Sequence, residues 1–132
     1  MNKLIASISD IQSVENLNIV NFNFNNQTLS MVSLDLDNEI KIGTIVELSA
    51  KSTHIAIAKE FSGELSYSNQ IKASIVEVNN GQLLSSIKAI GEDTLLESVI
   101  TSASSSKMNL KNGDKITLLI KSTELFISKV IK

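Results

Sequence analysis

Cysteine, proline and tryptophan are absent from this 132-residue chain. Without Cys there is no disulfide, no thiolate metal site and no thiol nucleophile. Histidine occurs once, as His54. A single imidazole has no second one with which to share a metal, and no Ser and acid are spaced with it as a triad. Five aromatics are present, Phe22, Phe24, Phe61, Tyr67 and Phe126, too few to build a base-stacking platform. Positive charge is scarce as well: 12 basic against 14 acidic residues leave a net charge of −2, with no dense basic cluster. That balance argues against collecting nucleic acid, and so against a nucleic-acid-binding OB module. No apolar run is long enough to span a bilayer, and the opening MNKLIASISD lacks the apolar core of a signal peptide, so a soluble cytoplasmic protein is expected. The glycine segments NNGQ (79–82) and KNGDK (111–115) are turn sequences and not phosphate-cradling loops. The acidic pairs Asp35/Asp37 and Glu92/Asp93 read as solvated turns, because a calcium loop needs more oxygen ligands at regular spacing.

What is present favours strands. Ile and Val are abundant, and Ser, Asn and Thr fill the polar positions. VNFNF (20–24) and IKASIVEV (71–78) alternate apolar and polar; DKITLLIKS (114–122) begins so and then becomes continuously apolar. NNGQ predicts a hairpin turn, and NFNNQT (23–28) is read as its counterpart in the first half. Helical periodicity is weak, apart from one short helix expected over 103–109 with a Ser cap. TSASSS (101–106) otherwise reads as a polar loop.

The chain repeats itself. Lys51-Ser52-Thr53 returns as Lys121-Ser122-Thr123, and Gly43 as Gly113, both at an offset of 70. NKLIASI (2–8) matches NQIKASI (69–75) at 67, and LSMVS (29–33) is matched with ESVIT (97–101) at 68. Landmarks in one order indicate an internal duplication, with about three extra residues in the second copy. The expected units are 1–60 and 66–132, divided around Gly63. Units this small bury little surface alone, so packing against each other or against other chains is expected. The predicted fold is all-β: two tandem small five-stranded OB-like barrels, each with at most one short helix.

Residues 66–128 resemble the Mop domain of molbindins, small molybdenum-pterin-binding-type proteins related to TOBE domains. The motifs are Ser66-Tyr67-Ser68-Asn69, Ser98-Val99-Ile100-Thr101 with Ser104, Leu110-Lys111-Asn112-Gly113-Asp114, and Ile120-Lys121-Ser122-Thr123-Glu124-Leu125-Phe126-Ile127. The first copy is a degraded version: Asn2, Ser30 to Ser33, Ile40-Lys41-Ile42-Gly43 and Lys51-Ser52-Thr53. The resemblance implies a di-Mop protein that binds molybdate or tungstate between Mop domains, for storage or homeostasis, without catalysis and without an organic cofactor. It implies a homo-oligomer, a trimer in preference to a dimer. The ligand residues it carries over are Ser66, Ser68, Asn69, Thr101, Ser104, Lys121 and Ser122, with Asn2, Ser33, Lys51 and Ser52 in the first copy. Two departures stand out. The family's Arg is Ser68 here, which removes a forked cationic donor. The first copy opens at Met1-Asn2, without a Ser-x-Arg counterpart, and Asp35 follows its strand end. An alternative role is that of an oxyanion-sensing accessory module acting through a partner protein.

The chemistry is coherent apart from the resemblance. A tetrahedral oxyanion presents only acceptors, so its site must gather donors. Ser and Thr hydroxyls rotate to donate, and Lys adds a compact charge. A Lys beside two hydroxyls at a strand break is a credible anion nest, although such a tripeptide is usually a solvated turn. His54 is read as a surface or interface residue.

Overall fold

The alternating segments of the sequence are the strands of the molecule. The structure, a computed structural model, describes residues 2–132. Its strands are β1 (Asn2–Val14), β2 (Leu17–Phe24), β3 (Gln27–Leu34), β4 (Ile45–Ala50), β5 (Ile55–Lys59), β6 (Asn69–Asn80), β7 (Leu84–Gly91), β8 (Thr94–Thr101), β9 (Lys115–Ile120) and β10 (Phe126–Val130). The one α-helix among the described residues, α1 (Ser102–Lys107), lies between β8 and β9. Its cap is Thr101, whose hydroxyl accepts from the Ser104 N–H, and not the Ser expected from sequence.

The duplication is visible strand by strand. β6, β7 and β8 begin 67 residues after β1, β2 and β3, and β9 begins 70 after β4. β3 and β8 share one pattern of burial at the 67 offset. The match of LSMVS with ESVIT is therefore one residue out of step: Ser30 corresponds to Glu97, and Thr101 to Leu34. The three added residues fall between β8 and β9, where the second copy builds α1 and the first has a plain loop. The turns also pair differently from the sequence reading. Asn25-Asn26 and Glu92-Asp93 are the equivalent two-residue turns, all four at positive φ. That geometry suits the twist of a tight hairpin. NNGQ corresponds instead to the Glu15-Asn16 turn. Both first strands bulge at one place, between Ile8 and Asp10 and between Ile75 and Glu77. Beyond each bulge a glycine at φ +93 or +95, Gly43 or Gly113, donates its N–H back to Ile8 or Ile75. An L side chain rarely adopts that conformation, which accounts for glycine at both positions.

The copies exchange their last strands. One five-stranded sheet runs β10-β4-β1-β2-β3 and the other β5-β9-β6-β7-β8. β5 leaves the first half to pair with β9, and β10 leaves the second half to pair with β4. Each OB-like sheet is thus completed by the other copy. Ile55 and Leu125, both 2% exposed, anchor the starts of the exchanged segments in the core. Burying such a side chain contributes about 1.5–3 kcal/mol. The buried apolar residues of both sheets, from Leu4 and Phe22 to Ile71 and Leu118, form one continuous cluster.

Candidate functional site

The repeated Lys-Ser-Thr stretches are the places where the chain crosses from one sheet to the other. Each makes the same tight turn: the His54 N–H donates to the Lys51 carbonyl at 2.8 Å, and the Glu124 N–H to the Lys121 carbonyl at 2.9 Å. The two crossings meet, with His54 Nδ1 2.8 Å from Glu124 Oε2. His54 and Glu124 are equivalent positions, so the pseudo-twofold axis passes between them. It also passes between the hairpin turns, where Asn25 Nδ2 donates to the Glu92 carbonyl at 3.3 Å.

An asparagine at the start of β6 pins the second crossing. The Asn69 side chain is fully buried. Its Oδ1 accepts from the Ser30 N–H at 2.7 Å, and its Nδ2 donates to the Ser30 carbonyl at 2.9 Å. Both polar groups of one β3 residue are satisfied by one amide from the other sheet. Above this clamp three hydroxyls gather: Ser122 Oγ lies 2.7 Å from Ser68 Oγ and 3.1 Å from Ser30 Oγ. The Ser122 carbonyl accepts from the Val32 N–H at 3.0 Å, which fixes the crossing against β3. Three hydroxyls with two mutual bonds keep a proton free to turn toward an incoming acceptor.

The first crossing has the same frame and a different occupant. Asn2 Nδ2 donates to the Glu97 carbonyl at 3.1 Å, and its Oδ1 accepts from the Glu97 N–H at 2.5 Å. The same Nδ2 reaches the Ala50 carbonyl at 3.1 Å and Ser52 Oγ at 3.4 Å. Where the second crossing has the Ser30 hydroxyl, a carboxylate stands here. Glu97 Oε1 accepts from Ser52 Oγ at 2.8 Å, and Oε2 from Ser86 Oγ at 2.6 Å. The Ser86 hydroxyl foremost, then Ser52, holds the Glu97 carboxyl below its ordinary value, with further help from Lys88 and against partial burial. A cleft of about 250 Å³ lined by Asn2, Lys88, Leu95, Leu96 and Glu97 opens beside it.

The structure thus brings Ser68, Asn69 and Ser122 together, and separately Asn2 and Ser52. Lys121 and Lys51 are exposed at their crossings. Lys121 borders a cleft of about 270 Å³ together with Thr53, His54, Tyr67 and Ile100. Thr101 Oγ1 and Ser104 Oγ are 3.0 Å apart and bond to each other at the start of α1. Ser33 Oγ donates to the neighbouring Leu34 carbonyl at 3.2 Å. Ser66 is exposed in the segment before β6. Ser30, Ser86 and Glu97 were not singled out from sequence as site residues; only the 67-residue offset, read correctly, aligns Ser30 with Glu97. All 12 basic residues of the chain are Lys, so any cation offered to an anion is an ammonium. Among the described residues, no group of three or more His, Cys, Asp and Glu side chains gathers as a metal site. No helix among them is long and apolar enough to cross a membrane.

Residues 65–127 match the family model described as TOBE domain. A solved structure similar to this chain is that of the cytoplasmic molybdate-binding protein ModG with molybdate bound, at a TM-score of 0.89 and 17% identity, over 96% of this chain and 94% of that one. The likeness establishes the fold: two five-stranded OB-like units in one chain. No curated protein matches the sequence.

Proposed function

We propose, from the TOBE match over the second copy and the shared fold, that this chain binds molybdate or tungstate in the cytoplasm as a store or buffer, without catalysis. It does so as two tandem Mop-type units, 1–60 and 66–132, each finished by the other's last strand. The observation that carries the reading is the hydroxyl cluster of Ser30, Ser68 and Ser122, clamped by buried Asn69, with the exposed Lys121 next to Ser122 in the chain. A tetrahedral dianion needs such donors on a rigid frame with a cation within reach. Thr101 and Ser104, at the start of α1 and away from this cluster in the hydrogen-bond network, supply hydroxyls to a site completed by a neighbouring chain. The molecule has a surface for that neighbour. Leu17 and Leu84, equivalent on β2 and β7, are 46% and 57% exposed, and Leu34 is 67% exposed opposite Leu17. A homotrimer, rather than a dimer, is the assembly proposed to cover these edges.

Titration calorimetry with molybdate, tungstate, sulfate and phosphate tests the reading. Binding of the first two in preference to the others is expected. Lys121→Ala with Ser122→Ala removes a charge-assisted donor and a hydroxyl, together worth about 1.5–3 kcal/mol, which weakens binding roughly 10- to 100-fold. Absence of heat from molybdate and tungstate at high micromolar concentration, with a folded protein, rules the reading out. Sedimentation showing a stable monomer removes the shared-site part of it.

A further inference from the structure

The two crossings are built on one frame, yet only the second keeps a hydroxyl proton free of a carboxylate. We propose that Glu97 is a tethered anion that occupies the Asn2–Ser52 crossing permanently, so that of the two equivalent crossings in each chain only the Ser122 crossing receives an oxyanion. This deepens the oxyanion-binding reading and rests on it.

The case is made by comparing equivalent positions. Asn2 and Asn69 make the same paired bonds to the backbone of Glu97 and of Ser30. Ser52 and Ser122 hold the same place in the repeated Lys-Ser-Thr turn. The β8 and β3 residues facing them are therefore aimed at the same point. At the second crossing that residue is Ser30, which adds a hydroxyl to two others. At the first crossing it is Glu97, whose two carboxylate oxygens accept from Ser52 and Ser86 at 2.8 and 2.6 Å. Two oxygens of a carboxylate taking hydroxyl protons is the arrangement an oxyanion would itself adopt. The donors are already engaged, and a dianion approaching them meets a like charge within hydrogen-bonding distance of the same groups. Ser86 strengthens the assignment. Its equivalent in the first copy is Ile19, which has no hydroxyl. The second donor to the carboxylate thus occurs only where the carboxylate occurs. Lys88 on the same strand adds favourable charge.

The test exchanges the two residues. Glu97→Ser replaces the carboxylate of the first crossing by a hydroxyl beside those of Ser52 and Ser86, and Ser30→Glu gives the second crossing a tethered carboxylate. Each full-length protein is titrated calorimetrically with sodium molybdate, and its fold is checked by far-ultraviolet circular dichroism. Glu97→Ser is expected to bind one more molybdate per chain than wild type, and Ser30→Glu one fewer. If wild type binds and Glu97→Ser binds the same number, the tethered-anion assignment is overturned while the oxyanion reading stands. If wild type binds none and Glu97→Ser binds one per chain, the assignment holds and the oxyanion reading of the native Ser122 crossing falls. No binding by either folded protein overturns both. Should Glu97→Ser not fold, Ser30→Glu decides alone: retention of the full wild-type count overturns the assignment, and loss of one site per chain supports it.

Discussion

The first and second copies differ least where the backbone is constrained and most where side chains face a crossing. Bulges, glycine turns and buried asparagine clamps are the same in both. Ser30 against Glu97, Ile19 against Ser86, and Phe24 against Gly91 are not. A duplicated fold needs its geometry twice, because each sheet is finished by the other's strand. Side chains beyond that geometry are free to diverge, and they have diverged in chemistry at the crossings and in volume at the end of the second strand.

The largest expected effect probes the volume difference. Phe24 is 2% exposed in the core at the end of β2. Phe24→Ala leaves a cavity and is expected to cost about 3–5 kcal/mol, read from urea midpoints. At the equivalent Gly91 there is no room at all: a Cβ would sit 2.6 Å from the Lys72 carbonyl oxygen and 3.0 Å from Ile71 Cγ2. Gly91→Ala forces strand backbone to move and is expected to cost about 1–3 kcal/mol. A larger loss for Gly91→Ala than for Phe24→Ala would mean that the second copy is the more tightly packed.

The clamps come next. Asn69→Ala leaves the Ser30 N–H and carbonyl without their buried partner, at about 1–3 kcal/mol for a polar group left unpaired. Asn2→Ala disturbs the equivalent bonds to Glu97, and equal losses in urea melts are expected if the two clamps are energetically equivalent. A much smaller loss for Asn2 would show that the first crossing is held mainly by its carboxylate.

The smallest effect is one of pH. The folded-state value of Glu97 is depressed by the Ser86 and Ser52 hydroxyls. Its contribution to stability is therefore complete above the ordinary glutamate range and is lost as pH falls through the lowered value. Glu97→Gln should flatten the acid limb of a stability–pH profile by lowering stability at neutral pH while leaving stability at acid pH little changed. Ser30→Glu should steepen that limb if the second crossing can hold a carboxylate in the same way. Asp114, lowered chiefly by the Lys59 ammonium, contributes to the limb in all variants with the same sign.

Much of the fold was legible in the sequence. Alternation marked the strands, and Lys-Ser-Thr with the paired glycines marked the duplication. The exchange of β5 and β10 was not legible, because alternation tells which face of a strand is buried and not which sheet edge it joins. Lys51–Thr53 and Lys121–Thr123 therefore read as turns within a barrel, when they are passages between barrels. The relation of Ser30 to Glu97 was hidden by a one-residue slip. That slip arose because Glu92-Asp93 forms a positive-φ turn without the Asn or Gly that usually announces one. Asn69 and Ser122 were singled out from sequence because they belong to motifs. Glu97 entered only as the first residue of the misaligned ESVIT segment, and its position opposite Ser52 gives it meaning.

The exchanged strands also set an order of events during synthesis. β4 ends at Ala50, yet its outer edge pairs with Phe126–Val130, so the first sheet acquires its fifth strand only after nearly the whole chain has been made. Contacts of such long separation are slow to form, and an unpaired edge waiting for its partner is open to a neighbouring chain. The same feature offers a route to assembly: while β4 waits, a β10 from another nascent copy can reach it in competition with its own, so subunits made close together can join by sharing a strand.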